Sequence, residues 1–377
     1  MTTPTLRRVD EPALSPILRL IVRASREVKI LVALTPANAR GERARLTREF
    51  GAGRRPTPRW TYEPWRCDRD GELRRALEAA ERALGRRAST PIEAVCLARV
   101  RELLVEAALC AAVGTLAVER LARARFRPAD TRIDRAASAL CASWLREAPP
   151  AVATALIASE SADPRALLSR MREAVRLQKL PFEVVVSPTL APLAATGDTA
   201  IFVASGRQLT EEDANRTVLH EVEGHARPRA VARRAQSALF RAGTARGIDD
   251  QEGRALLLEE RASLLGPRRR RQLAARHRAV ESMLEGASFA EVAGAMIREC
   301  GLDAADAVVV AERAFRGSDG THPGLGRERV YLEALVRVRA HLAAHPDDEH
   351  VLASGQVSIE SVDALRSSAP RQKFDPL

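Results

Sequence analysis

The chain contains seven histidines, none of them before residue 220. Two bracket the segment His220-Glu221-Val222-Glu223-Gly224-His225. Imidazoles and carboxylates are the usual ligands of zinc, and a carboxylate beside a ligand is placed to move a proton. The familiar metal-binding helix of this kind has its two histidines four residues apart, with Glu after the first. Here the spacing is five, which on a straight α-helix turns the second ring about 140° from the first. A single π turn returns residues i and i+5 to one face, and such turns favour functional sites. Gly224 and Pro228 are compatible with a local distortion there. Without it, Glu221 and Glu223 are carboxylates paired with nearby arginines, and the histidines do not share an ion.

A catalytic zinc takes three protein ligands and keeps a fourth position for water. The best source for the third is Asp249-Asp250-Gln251-Glu252-Gly253-Arg254-Ala255. Asp249 or Asp250 can cap a helix whose first turn holds Glu252, and Gly253 allows close backbone approach. Glu252 with His220 and His225 makes a His2Glu set, which favours one Zn2+ by precedent, although affinity order alone does not choose the metal. The alternative is a carboxylate that merely complements the helix dipole.

The two motifs together resemble a family of metallopeptidases. It is the family of the microtubule-associated tyrosine carboxypeptidases, with its flavohemoglobin expression-modulating QEGLA-motif relatives. The second motif reads Gln251-Glu252-Gly253-Arg254-Ala255, with Arg254 where Leu is usual. Leu34 to Ala39 and Pro58 to Tyr62 resemble its N-terminal region, and Ala311 to Gly317 and Val330 to Leu332 its C-terminal half. The resemblance spans most of the chain. It implies a zincin-like core with added helices, His220, His225 and Glu252 as zinc ligands, and Glu221 as the catalytic base. It implies carboxypeptidase-like hydrolysis of a peptide or protein C-terminus. The chain departs from the pattern after His225, where Val231-Ala232 falls in place of Asn-Gly. That departure predicts a remodelled pocket and argues against a tubulin-like substrate.

A carboxypeptidase needs a cation for the terminal carboxylate, and a bidentate Arg does this best. Arg313 and Arg316 are the candidates, against the alternative of salt-bridge partners. Tyr331 is a candidate oxyanion donor, against the alternative of a half-buried core tyrosine. His322 reads as a loop histidine, and His277, His341, His345 and His350 read as surface groups.

The elements that must position these residues are mostly helical. Thr90, Pro91 and Glu93 mark a capped helix start. Asp163 with Pro164 marks another, and Thr210 to Asp213 a third that carries His220 about three turns in. Residues 72–86, 129–146, 230–242, 269–284, 303–316 and 327–343 also read as helix. Phe182 to Val186 and Thr199 to Ala204 read as strands, the second as an edge strand beside the metal helix. The predicted class is mainly α with a small β-sheet. A break at 147–150 suggests a helical region over 1–150 and a catalytic region over 151–377, or one continuous domain.

The chain has 377 residues, 46% hydrophobic and 29% charged, enough for a core without disulfides. Its five cysteines are scattered, which argues for reduced thiols in a cytoplasmic setting and against a Cys-based zinc site. The longest uncharged apolar run, Ala107 to Val118, is shorter than the roughly 18–20 residues of a membrane span, so no membrane partner is expected. The net charge of +11 comes from arginine spread along the chain, with one dense run, Arg268 to Arg271. No aromatic residues interleave with that run, so it reads as a solvated helix end and no nucleic-acid partner is expected. The leading expectation is a cytoplasmic zinc metallopeptidase. Its rivals are a regulatory protein that keeps the fold without turnover and, behind it, a basic nucleic-acid-binding protein. Oligomeric state is left open.

Overall fold

A computed structural model of the protein describes residues 11–68, 71–87, 89–128, 130–148 and 155–370. Pro149-Pro150, in the expected break, and the tail from residue 371 lie outside the described residues. Helix accounts for 64% of the described residues and strand for 5%, which is the expected class.

The first helices are α1 (Glu11–Glu27), α2 (Ile30–Ala33), α3 (Ala39–Gly51), α4 (Glu72–Arg87), α5 (Pro91–Ala111), α6 (Ala117–Arg125) and α7 (Thr131–Arg146). The α5 start follows its capping residues. The Glu93 N–H donates to Thr90 Oγ1 at 3.2 Å, and the Thr90 N–H donates back to Glu93 at 3.1 Å. Next comes α8 (Leu167–Leu177), which does not begin at Asp163-Pro164. Asp163 instead closes a turn, accepting from the Arg165 N–H at 2.8 Å on its side chain and from the Ala166 N–H at 2.9 Å on its carbonyl.

The strands are β1 (Ile157–Ala158), β2 (Glu183–Ser187), β3 (Ala194–Thr196), β4 (Ala200–Ala204) and β5 (Gln208–Leu209). β2 and β4 are the two expected ones, while the others are too short to show an alternating pattern. β1 pairs with β5, and a separate sheet runs β2-β4-β3, parallel then antiparallel. β4 is therefore central and not an edge. Both its sides are hydrogen-bonded, and the edge next to the turn that carries His220 is β3.

The chain continues through α9 (Glu211–Leu219), a π turn (His220–Ala226), α10 (Arg227–Arg234) and α11 (Leu239–Ala242). The helix expected over 230–242 is broken after Arg234, where Ala235 turns extended at ψ 141°. Then follow α12 (Gly247–Arg261), α13 (Pro267–Leu284), α14 (Phe289–Cys300), α15 (Ala304–Phe315), α16 (Val330–Ala344), α17 (Glu349–Leu352) and α18 (Val362–Leu365).

The largest apolar cluster joins Leu77, Leu103, Leu256, Leu273 and Leu335, all fully buried, from α4, α5, α12, α13 and α16. Each such leucine contributes about 1.5–3 kcal/mol by leaving water. A second cluster packs Met296, Phe289 and Phe315 of α14 and α15. A third packs Met171 of α8 and Ile201 and Val203 of β4 against Val222 and Ala226 of the π turn. The first and third clusters meet where the π turn crosses α12, and the candidate site lies along that seam. Val231 and Ala232, the departure after His225, are both buried on α10.

Two surface expectations are corrected. His277 is fully buried, 3.4 Å from both Ser138 Oγ and Glu281 Oε1. Arg268 is the solvated member of its run, but Arg269, Arg270 and Arg271 turn onto Glu259, Glu147 and the Cys300 carbonyl. Distant acceptors, invisible locally, claim them. All five cysteines are free, and among the described residues no helix is long and apolar enough to cross a membrane.

Candidate metal centre

Thr210 caps α9, its Oγ1 accepting from the Asp213 N–H at 3.0 Å. At His220 the helix widens into the π turn, which closes where the Arg227 N–H donates to the Val222 carbonyl. Pro228 has no N–H for an α-helical bond to the Gly224 carbonyl, so the α register cannot run through this point unbroken. The wider turn brings His220 and His225 to one face, with ring centroids 5.0 Å apart.

α12 supplies Glu252. Its N-cap is Arg246, in the left-handed region at φ 60°, and not an aspartate. Asp249 and Asp250 sit inside the first turn because buried arginines claim them. Arg125 Nη1 lies 2.9 Å from Asp249 and Arg337 Nε 3.0 Å from Asp250. Breaking a buried pair of this kind costs about 3–5 kcal/mol, so the start of α12 is firmly held. Two glycines set the distances. A Cβ on Gly253 would lie 2.4 Å from the Ala334 carbonyl carbon, and one on Gly224 would lie 2.6 Å from Ala255 Cβ. Glycine alone lets α12 lie this close to α16 and to the π turn.

Glu252 Oε2 lies 3.4 Å from His220 Nε2 and 3.8 Å from His225 Nε2. Among the described residues this is the set of three His, Cys, Asp or Glu ligand atoms that converges, all within 4.8 Å of one another. A tetrahedral ion with nitrogen and oxygen ligands at about 2.0–2.1 Å spans ligand-to-ligand edges of about 3.3 Å. The two imidazole–carboxylate edges are close to that span, and side-chain rotation that closes the third, within 4.8 Å, lets the donor set fit such an ion. His225 and Glu252 keep 14% and 13% of their side chains exposed, so solvent reaches the triad.

The far side of each ring is tied down. His220 Nδ1 donates to Glu259 Oε1 at 2.7 Å, and His225 Nδ1 donates to Gln251 Oε1 at 3.0 Å. An ionised carboxylate only accepts, so Nδ1 of His220 carries a proton and Nε2 is the atom left to face Glu252. Partners of this kind orient metal-ligating histidines. Arg269 Nε, 3.1 Å from Glu259, fixes that carboxylate in turn. Burial alone would raise Glu259, but Arg269, His220 and Arg216 bring it down to about 2. Burial would likewise raise Glu252, yet His220, His225 and Arg327 hold it well below the carboxylate range. Burial would lower His220, but Glu252 and Glu259 push it up to about 9.

Glu221 is buried on the same π turn. Thr196 Oγ1 of β3 donates to its Oε2 at 2.8 Å. On the opposite side, Arg327 Nη2 lies 3.3 Å from Glu252 Oε1, and its Nη1 lies 3.4 Å from Tyr331 Oη. The Tyr331 ring is also 5.7 Å from the guanidinium of Arg276. Arg276 and Arg313 share Glu328, at 3.6 and 3.5 Å. Beside them Arg316 is buried, and its Nε has no hydrogen-bond partner. Burial and the neighbouring Arg313 push Arg276 and Arg316 down to about 10 each. The structure thus brings His220, His225 and Glu252 together with Glu221 adjacent in sequence. It links Tyr331 to Glu252 through Arg327, and places Arg313 and Arg316 in a cationic cluster beyond that tyrosine, bonded to none of the triad. His322 is exposed in its loop.

Sequence reasoning passed over Thr196, Gln251, Glu259, Arg269 and Arg327. Glu259 was findable, since it lies seven residues after Glu252 and so on the same helix face. Thr196 and Arg327 carry no local signal, because tertiary packing alone brings them in.

Comparison with family models sets the chain among carboxypeptidases. The matching model is that of the microtubule-associated tyrosine carboxypeptidases and covers residues 48–373, so the chain belongs to that family. No match is found among curated proteins.

Proposed function

We propose that the protein is a zinc-dependent carboxypeptidase that removes residues from the C-terminus of a peptide or protein. The observation that carries this reading is the convergence of His220 Nε2, His225 Nε2 and Glu252 Oε2, with both Nδ1 atoms already engaged. These three residues would hold the ion. Zinc bound there would lower the pKa of a water and polarise the scissile carbonyl.

Glu221 is the general base. Its carboxylate takes the proton from the attacking water and passes it to the leaving amine. Thr196 steadies it through one oxygen and leaves the other for this work. Tyr331 is the donor for the oxyanion, and Arg327 beside it holds the phenol in place. Arg316 and Arg313 recognise the terminal carboxylate. With Arg276 and the nearby Arg43 they make four guanidinium groups against two glutamates, Glu328 and Glu312, an excess of positive charge that an anion would balance. β3, the sheet edge beside Glu221, is the strand for an extended substrate to pair with. A strand edge next to a metal-bearing helix is also what supports a zincin-like core.

The test is a digest of peptide pairs that differ only in a free or an amidated C-terminus. The zinc-loaded protein is expected to shorten the free member and spare the amidated one. If it leaves every peptide intact, it is a regulatory protein on the same fold. If it cuts both alike, the carboxylate assignment fails.

A further inference from the structure

Arg254 is the position where the second motif departs from its usual residue, and no step above uses it. It is 2% exposed, within α12 and between Gly253 and Ala255. A buried guanidinium must reach acceptors. Nε of Arg254 lies 3.9 Å from Glu349, a loose pairing, while its Nη1 donates to the Glu223 backbone carbonyl at 3.0 Å.

That carbonyl lies inside the π turn, between the two histidines. The turn's last bond runs from the Arg227 N–H to the Val222 carbonyl. In the same register the next would join the Glu223 carbonyl to residue 228, which is proline and has no N–H. The residue that breaks the α register therefore also strips the Glu223 carbonyl of its helical donor. A buried carbonyl needs a partner, and Arg254 supplies it from the neighbouring helix. Beside this bond, Ala255 Cβ fills the space over Gly224. Two adjacent residues of α12 thus grip two adjacent residues of the π turn.

We propose that Arg254 is a positioning residue for the metal centre, its guanidinium locking the π turn that sets His220 and His225 at one point. The same helix presents Glu252, so one element delivers the third ligand and clamps the other two. The proposal rests on the metal reading above.

The test compares wild type, Arg254→Lys, Arg254→Met and the double variant Pro228→Ala/Arg254→Met. The readouts are metal affinity by chelator competition and the visible absorption of the Co2+-loaded proteins. Arg254→Met keeps the apolar bulk without a donor and is expected to lose about 10–100-fold in affinity, with altered cobalt bands. Arg254→Lys keeps an N–H donor and is expected to remain near wild type. Pro228→Ala returns a backbone N–H to the Glu223 carbonyl and is expected to restore most of the loss, or to restore folding if Arg254→Met alone does not fold. Wild-type affinity and bands in Arg254→Met overturn the proposal. So does a double variant that stays unfolded or gains nothing over the single. A wild type that binds no metal is a separate failure, of the site itself.

Discussion

Gly224 is the tightest point between the π turn and α12, and Gly224→Ala tests whether that closeness sets the metal geometry. The added Cβ would meet Ala255 Cβ at 2.6 Å. Carbon atoms in contact prefer about 3.5–4.0 Å, so the two segments must part by about 1 Å. Overpacking of this kind costs about 1–3 kcal/mol, while alanine in place of glycine in a helical segment returns about 0.5–1 kcal/mol. The net loss of stability is therefore small, about 0–2.5 kcal/mol, and the protein remains folded. The site is far more sensitive. Moving reacting groups by 1 Å costs on the order of 100-fold in rate. We expect a melting temperature lowered by a few degrees, weakened zinc binding in a chelator competition, and kcat/KM reduced about 100-fold. Ala255→Gly in the same chain supplies the control. It removes the clashing Cβ and leaves Ala255 Cα at 3.4 Å, so metal affinity and activity recover. It also places a third glycine in α12, after Gly247 and Gly253, which costs about 1 kcal/mol of stability. Relief of the overpacking, about 1–3 kcal/mol, offsets that cost, so a double variant at least as stable as Gly224→Ala and more active is the predicted signature. Wild-type zinc affinity in Gly224→Ala, or no recovery in the double variant, refutes the reasoning.

Three further outcomes follow from the site. Glu221→Gln is expected to keep its metal and lose about 10²–10⁴-fold in kcat, and a variant that keeps turnover removes Glu221 as the base. Arg316→Ala is expected to raise KM for free C-termini about 10–100-fold with kcat little changed, since hydrogen bonds to charged groups contribute about 1.5–3 kcal/mol. An unchanged KM moves carboxylate recognition elsewhere. The pH dependence of metal uptake follows from His220. Burial lowers its pKa, but Glu252 and Glu259 outweigh that and hold it at about 9. Below that pH the ion must displace a proton from the ring, so zinc affinity weakens about tenfold for each unit the pH falls, and levels off above it. A dissociation constant flat between about pH 6 and 8 contradicts this.

The convergence of His220, His225 and Glu252 was more legible than the framework that supports it. Five-residue histidine spacing with Gly224 inside and Pro228 after it points to a π turn, because each of those residues bears on the local backbone register. Glu252 was legible from its motif. Asp249 and Asp250 were misread as caps because Arg125 and Arg337, their real partners, come from distant helices. β4 was misplaced at the sheet edge because β3 is too short to announce itself and crosses to β4's free side through a tight turn. Arg269 was hidden in a run of four arginines whose fates diverge, since each finds a different acceptor only after α13 packs. His277 was read as surface because a buried histidine with distant partners looks the same in sequence as an exposed one.

The central claim is that His220, His225 and Glu252 hold one zinc ion. The most direct test is elemental analysis of the purified protein beside His225→Ala and Glu252→Ala, each checked for folding. The account predicts about one zinc per chain in the wild type and loss of that zinc in both variants. A wild type that takes up no zinc even after incubation with the ion, or variants that retain it in full, contradicts the account.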